Sequence, residues 1–192
     1  PTNIAANITA AIGTWSASGG GDTPEGQFLA LDRLTLPPGG SIGWRAGAKR
    51  IIVWFGDAPG HDPICTAISG AGSAVTEASV TARLVTEQIV VLAISTATPG
   101  LDADPMPIST SYTGACGAPG GAAGQGTRLA AATGGAFVTG INPSNIVNTI
   151  INLVTAAVSS INNVKLVASP TVAPLVVSIT PLAGYGPLGG DA

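Results

Sequence analysis

Asp57 is the first candidate for chemistry in this sequence. It follows Gly56 at the end of Ile51-Ile52-Val53-Trp54-Phe55, an unbroken apolar run. Such a run, rich in β-branched residues, is typical of a central strand buried on both faces of a parallel sheet. Open α/β sheets bind ligands in the crevice beyond the carboxyl ends of their strands, where Asp57 would lie. The alternative is that Asp57 only caps the turn that Asp-Ala-Pro-Gly predicts.

A second pair of acids, Asp22 and Glu25, flanks the predicted start of a helix. Pro24 lies between them and suits the first helical position, so the simple interpretation makes Asp22 or Thr23 the N-cap. Glu25 would then be a first-turn acid that the helix dipole favours. The presence of these acids upstream of Asp57 strengthens the interpretation that this part of the chain forms a site.

His61 suggests a competing chemistry, metal-dependent hydrolysis, because Asp57 and Asp62 lie close to it in sequence. A hydrolytic zinc site generally needs three protein ligands, often including more than one His, and this chain has a single His. We therefore expect His61 to be a loop residue that hydrogen-bonds locally. No Gly-x-Ser-x-Gly motif precedes a predicted helix and no P-loop motif occurs, so neither a serine hydrolase nor a P-loop nucleotide-binding protein is indicated.

Helical and strand-like hydrophobic patterns alternate along most of the chain. Residues 50–94 form one predicted βαβ unit, whose connection we expect to be right-handed. The predicted elements are a helix over 3–16, a helix opening at Pro24, strand 51–55, a helix over 75–88, strand 89–94, a loop over 96–125, a short helix over 126–133, an edge strand over 136–138 and a long helix from Asn142.

These elements predict an α/β fold with a Rossmann-like, doubly wound and mainly parallel sheet over residues 1–164. From Lys165 the pattern changes, and residues 165–167 and 175–179 are strand-like. Two short strands cannot stabilise a domain alone, so we interpret residues 165–192 as a linker or as the start of a following β domain.

The composition favours a secreted or cell-surface protein of bacterial type. Charged residues make up 9% of the 192 residues, against a usual share of about 25%. The net charge of -3 comes with seven scattered basic residues, which provide no patch for phosphates, so nucleic acid is not an expected partner. No apolar stretch is long enough to span a bilayer.

The two cysteines, Cys65 and Cys116, lie in predicted loops. An even number of cysteines in a chain of exported character permits one disulfide, which would close a loop of about fifty residues and stabilise the fold by roughly 4 kcal/mol. Two free buried thiols are the alternative. The absence of a Cys-x-x-Cys motif argues against a redox motif or a structural zinc site.

The order of these signals resembles the second half of a von Willebrand factor A-type domain, and most closely the I-like domain of integrin β subunits. The matching features are Ser18-Gly19 through Asp22-x-Pro24-Glu25-Gly26 followed by Phe28, then Gly43-Trp44-Arg45, then Ile51 to Phe55 with Asp57-Ala58 and His61. The resemblance covers residues 1 to about 162.

The resemblance implies a divalent cation at the carboxyl ends of the sheet, in a metal-ion-dependent adhesion site. Glu25 and Asp57 match two of its carboxylate ligands, and Mg²⁺ or Mn²⁺ would be the cation. Mg²⁺ keeps several waters and needs only one or two carboxylates, so an acidic group of a partner can complete its shell. Asp22, the Pro24 carbonyl and Glu25 match part of an adjacent Ca²⁺ site, although Gly20 stands where the family has Asn.

One family motif is missing. The Asp-x-Ser-x-Ser sequence that follows the first strand of the family, and supplies the primary ligands, does not occur. We expect the first strands to belong to a longer parent protein. Without them, the strand at residues 51–55 would present an apolar edge to solvent, where self-association is expected.

Two functions follow from the resemblance. The first is a non-enzymatic, cation-dependent adhesion module, whose partner is a protein or extracellular matrix-like ligand that offers an acidic group. The second is a structural spacer or assembly domain with a degenerate metal site, and only the first function should depend on the cation.

Overall fold

Two β-branched runs and one short apolar segment form a parallel three-stranded sheet. The structure is a computed structural model that describes residues 5–14, 16, 20–36, 42–45, 47–106, 108–117 and 120–159. The strands are β1 (Arg50–Gly56), β2 (Ile89–Ser95) and β3 (Ala136–Val138), in the spatial order β1-β2-β3. Both strand pairs are parallel, with Trp54 opposite Ala93 and Ala93 opposite Phe137.

Helices connect and flank these strands, so the mixed α/β class predicted from the sequence is confirmed. The helices are α1 (Ala5–Gly13), α2 (Gln27–Leu34), α3 (Thr66–Ser69), α4 (Glu77–Thr86), α5 (Thr110–Cys116), α6 (Gln125–Ala132) and α7 (Ile146–Ser159). Two short 3₁₀ turns occur at Gly100–Asp102 and Pro143–Asn145.

Among the described residues β2 lies between the other two strands and β1 is an edge strand, the arrangement expected for residues 51–55 without the first strands. The burial of this run on both faces, which the sequence predicted, is not found. Six of the seven residues of β2 are buried. In β1, by contrast, only Ile52 and Trp54 are buried, and Phe55 is 48% exposed. Within the described part of the chain no strand pairs with the outer edge of β1, as expected for the apolar edge. A continuous apolar run therefore did not distinguish a central strand from an edge strand here.

The main core lies between one face of the sheet and the helices α2, α4 and α6. Residues that alternate along β1 and β2 point to this face, because side chains of a strand alternate between its two sides. The core includes Phe28, Leu31, Ile52, Trp54, Val80, Leu84, Ile89, Val91, Ala93, Leu129 and Ala130. The turn after α6 passes directly against β2, since a Cβ placed on Gly135 would lie 1.9 Å from the Val91 carbonyl oxygen.

Local signals predicted the start of α4 but not the start of α2. The α4 helix begins with a capping box, in which Thr76 and Ser79 each bond the other's backbone amide. Such a box supports the start predicted near residue 75. The α2 helix begins at Gln27 rather than at Pro24, and its N-cap is Gly26, which has no side-chain cap. The predicted N-cap role of Asp22 or Thr23 is therefore wrong.

The loop predicted over residues 96–125 contains the Gly100–Asp102 turn and α5. Cys116 ends α5 and forms a disulfide with Cys65, which precedes α3, with Cα atoms 5.3 Å apart. The disulfide permitted by the sequence is thus present, and it fastens this segment to the residue before α3. Ser109 caps α5 by accepting a hydrogen bond from the Tyr112 amide.

Residues 1–146 and 147–192 form two separate units. The second unit includes most of α7, whose described end is Ser159. The predicted strand-like segments at 165–167 and 175–179, and the predicted boundary at 164, lie outside the described residues. No helix among the described residues is long and apolar enough to cross a membrane.

Candidate functional site at the carboxyl edge of the sheet

The chain segment that follows Asp57 is paired with the residues that precede α2. The Glu25 amide donates to the Pro59 carbonyl at 2.8 Å, and the His61 amide donates to the Glu25 carbonyl at 2.9 Å. This is a parallel bridge between Glu25 and Gly60. The two acidic segments singled out in the sequence are therefore neighbours, held together by backbone hydrogen bonds.

Gln125 pairs with the same segment. The Gly60 amide donates to Gln125 Oε1 at 2.7 Å, and Gln125 Nε2 donates to the Gly60 carbonyl at 2.9 Å. Gln125 is completely buried. Sequence reasoning missed this residue, because a single Gln at a helix start carries no signal for a contact 65 positions away.

The Glu25 and Asp57 side chains are both exposed. Within the described part of the chain neither carboxylate has a hydrogen bond or an ion pair, so the turn-capping bond considered for Asp57 is not formed there. Pro24, between the two acids of its segment, is buried. The described residues contain no group of three or more His, Cys, Asp or Glu side chains that could hold a metal ion. Glu25 and Asp57 thus remain a pair of available carboxylates on neighbouring segments.

Asp22 has a different role from its neighbours. Its Oδ2 atom accepts a hydrogen bond from the Ser109 amide at 2.6 Å and lies 3.1 Å from His61 Nε2. The Asp22 and His61 side chains are 11% and 12% exposed. The expectation that His61 bonds locally is therefore wrong, since its partner lies 39 positions earlier in the chain.

These contacts set the ionisation of Asp22. Burial alone would raise its pKa, but the Ser109 amide and the hydrogen bond and charge of His61 together outweigh burial. The pKa of Asp22 consequently lies below its ordinary value. Asp22 therefore serves as an ionised acceptor that ties the residues before α2 to the start of α5.

His61 also contacts α5 through an aromatic stack. Its ring lies 4.2 Å from the Tyr112 ring, with an angle of 11° between the planes. The Tyr112 hydroxyl is buried and has no hydrogen-bond partner among the described residues. Burial, together with the charges of Asp62 and Asp22, raises the pKa of Tyr112. The α5 helix is thus attached at its start by Asp22, in its middle by His61 and at its end by the disulfide.

A second set of charges lies next to this cluster, at the start of α4. Asp62 Oδ1 accepts a hydrogen bond from the Glu77 amide at 3.2 Å. Arg128 binds both carboxylate oxygens of Glu77 at 2.7 Å and also donates to the Ala122 carbonyl. Burial raises the pKa of Asp62, and the Glu77 amide only partly offsets it. The Glu77–Arg128 pair connects α4 to α6, and the Asp62 bond connects the start of α4 to the loop that follows β1.

A comparison with protein-family models found no match to this chain, and a comparison with curated protein sequences found no significant match.

Proposed function

We propose that this chain is a non-enzymatic binding module in which Glu25 and Asp57 hold a divalent cation, Mg²⁺ or Mn²⁺. The cation would bind an acidic group of a protein or extracellular matrix-like ligand. The observation that carries the proposal is that both carboxylates are exposed, and unpaired within the described part of the chain, on segments joined by backbone hydrogen bonds. The family resemblance of the sequence supports the same assignment.

The two carboxylates fit the chemistry of Mg²⁺. This ion needs only one or two carboxylates and keeps several waters, one of which an acidic ligand can replace. Glu25 is held at its backbone by the Pro59 carbonyl and the His61 amide, so its side chain projects from a fixed position. Asp57 directly follows β1, where open α/β sheets bind ligands.

The adjacent Ca²⁺ site suggested by the resemblance would use Asp22, the Pro24 carbonyl and Glu25. Asp22 Oδ2 already accepts from Ser109 and contacts His61, which leaves Oδ1 for a cation. We therefore propose Mg²⁺ or Mn²⁺ as the functional ion, and Ca²⁺ only as an additional ion with Asp22 as one of its ligands.

We further propose that the first unit is part of a von Willebrand factor A-type domain on a secreted or cell-surface protein. The parallel sheet with flanking helices supports this family assignment. The disulfide supports the compartment, because disulfides persist in oxidising environments.

A structural spacer is the second candidate. It is favoured by the lack, among the described residues, of any group of three or more acids, histidines or cysteines that could hold a metal. A spacer would use the same fold to separate neighbouring domains, and it would be indifferent to cations.

Calorimetric titration with MgCl₂ and MnCl₂, beside thermal melts with and without chelator, separates the two functions. We expect saturable binding that Glu25→Gln or Asp57→Asn abolishes. Glu87→Gln is the control for cation binding, since Glu87 precedes β2 at the amino ends of the strands. Glu87 pairs with Arg50, so this variant is compared by its heat of binding and not by its melt. Absence of heat with an unchanged melt, or an equal loss in all three variants, would refute the cation site and favour the spacer.

A further inference from the structure

A polar cavity of about 350 Å³ lies away from the Glu25 and Asp57 segments, between α2, α4 and the loop that precedes α4. Its lining includes Arg33 from α2, Arg83 from α4 and the small residues Gly72, Ser73 and Ala74 of the loop. The arginines supply positive charge, and the loop brings its backbone close to the same space.

One of the two arginines is partly neutralised. Arg83 forms an ion pair with Asp32, whose side chain is 5% exposed. That bond uses one guanidinium nitrogen of Arg83, and half of the Arg83 side chain remains exposed. Arg33 is exposed and has no hydrogen bond or ion pair within the described residues. Two cations against one carboxylate leave the cavity with an excess of positive charge.

The loop backbone adds donors. The amides at either end of the loop are used: Ala71 donates to Ser69 Oγ, and Val75 donates to the Ile64 carbonyl. The amides of the three residues between them, 72–74, have no acceptor among the described residues. Backbone amides that have no internal acceptor are available as donors to an anion in the cavity. The Ser73 hydroxyl is likewise unpaired within the described part of the chain.

We propose that this cavity binds a tetrahedral oxyanion, phosphate or sulfate, through Arg33, Arg83 and the amides of Gly72, Ser73 and Ala74. Guanidinium groups bind such oxyanions with strong, charge-assisted hydrogen bonds. Arg33 and residues 72–74 are exposed, so the site can also accept the anion as an ester on a larger ligand. This site is independent of the proposed cation site, because it uses none of the residues assigned to that site.

The test is a titration of the protein, with chelator present and at constant ionic strength, followed by amide chemical shifts. The probes are inorganic phosphate, sulfate, methyl phosphate and acetate. We expect saturable shifts of the 72–74 amides with phosphate or sulfate, and weaker binding of acetate. A methyl ester that binds as tightly as the free ion identifies an attached group as the ligand, whereas a clear preference for inorganic phosphate identifies a free anion.

Arg33→Gln should weaken binding by about tenfold, the loss expected for one charge-assisted hydrogen bond. Arg45→Gln is the matched control, because Arg45 is exposed, lies outside the lining and carries the same charge. Its effect should stay within about twofold, since Arg45 does not line the cavity and exposed charges are screened by salt. Ser73→Asp should abolish binding by placing a negative charge in the cavity. Equal effects of Arg33→Gln and Arg45→Gln, or no saturable shift with any anion, would overturn the proposal.

Discussion

The side-chain amide of Gln125 satisfies both backbone polar groups of Gly60, as a neighbouring strand would. Glu25 pairs with the two residues that flank Gly60, Pro59 and His61, by backbone hydrogen bonds. The segment between Asp57 and Asp62 is thus paired on two sides without belonging to the three-stranded sheet.

Replacing Gln125 by Leu should destabilise the fold strongly. The change leaves the buried amide and carbonyl of Gly60 without partners, at a cost of about 1–3 kcal/mol for each group. Urea denaturation measures the loss in the free energy of unfolding. An amide-to-leucine change at exposed Asn7, in α1, should alter it by no more than about 0.5 kcal/mol, and comparable losses at both positions would contradict the pairing role.

Removal of the Arg83 side chain should lower the free energy of unfolding, because Asp32 is buried and loses its ion-pair partner. Arg83→Ala leaves a buried carboxylate without its partner, at a cost of about 1–3 kcal/mol because Arg83 itself is half exposed. Arg33→Ala, on the same side of the molecule, should cost no more than about 0.5 kcal/mol because Arg33 is exposed. Denaturant unfolding of both variants and of the double variant Asp32→Asn/Arg83→Ala tests this, and the double variant should recover part of the loss.

The stability contributed by Asp22 should disappear in acid. Its pKa in the folded protein lies below the ordinary value of 3.8, so the ionised form stabilises the fold at every pH above the unfolded pKa. That contribution is lost as the pH falls through the folded pKa. Asp22→Asn should therefore be less stable than the wild type near neutrality, and the difference should shrink as the pH falls through the folded pKa. A difference that is independent of pH, in unfolding followed by circular dichroism, would count against it.

The charge of Asp62 should have the opposite effect on stability. Its pKa is raised in the folded protein, so ionised Asp62 costs stability above the folded pKa and the cost is relieved as the pH falls. Asp62→Asn keeps an acceptor for the Glu77 amide and removes the charge. The variant should thus be more stable than the wild type at neutral pH, with a gain that shrinks in acid. Thermal melts across the same pH series measure it.

Reduction of the disulfide should loosen α5 and lower stability. Cys65 and Cys116 are 51 positions apart, and on the chain-entropy model a bond that closes such a loop contributes roughly 4 kcal/mol. Because α5 carries Tyr112, reduction should also change the near-ultraviolet circular dichroism of Tyr112 stacked on His61. Denaturant unfolding of Cys65→Ser/Cys116→Ser provides the measurement, and an unchanged tyrosine signal would show that α5 is held without the bond.

Local sequence patterns were sufficient to predict the three strands and several of the helices. The β-branched runs predicted β1 and β2, and the segment from Ala136 to Val138 was predicted with its observed bounds. The α5 helix was missed because its sequence, Thr-Ser-Tyr-Thr-Gly-Ala-Cys, contains poor helix formers. A cap at Ser109 and the disulfide at Cys116 stabilise it, and neither is a feature of helical periodicity.

The partners of the site residues could not be predicted, because they are distant in sequence. Asp22 binds Ser109 from 87 positions away, and a local interpretation assigned it to the nearest helix start instead. The same limitation applies to Gln125. Residue types identified Glu25 and Asp57 as available acids, whereas their segments became neighbours only through a backbone bridge formed in the tertiary fold.

The pairing of residues 59–61 on two sides has a consequence for recognition. A segment already fixed by hydrogen bonds loses little conformational entropy when a ligand binds beside it. The binding free energy at the site beside residues 59–61 would then be set mainly by the contacts that a ligand makes, because ordering the protein costs little entropy. Substitutions that weaken the Gln125 pairing should therefore reduce affinity even though Gln125 is buried and touches no ligand, and they should do so mainly through a less favourable entropy of binding.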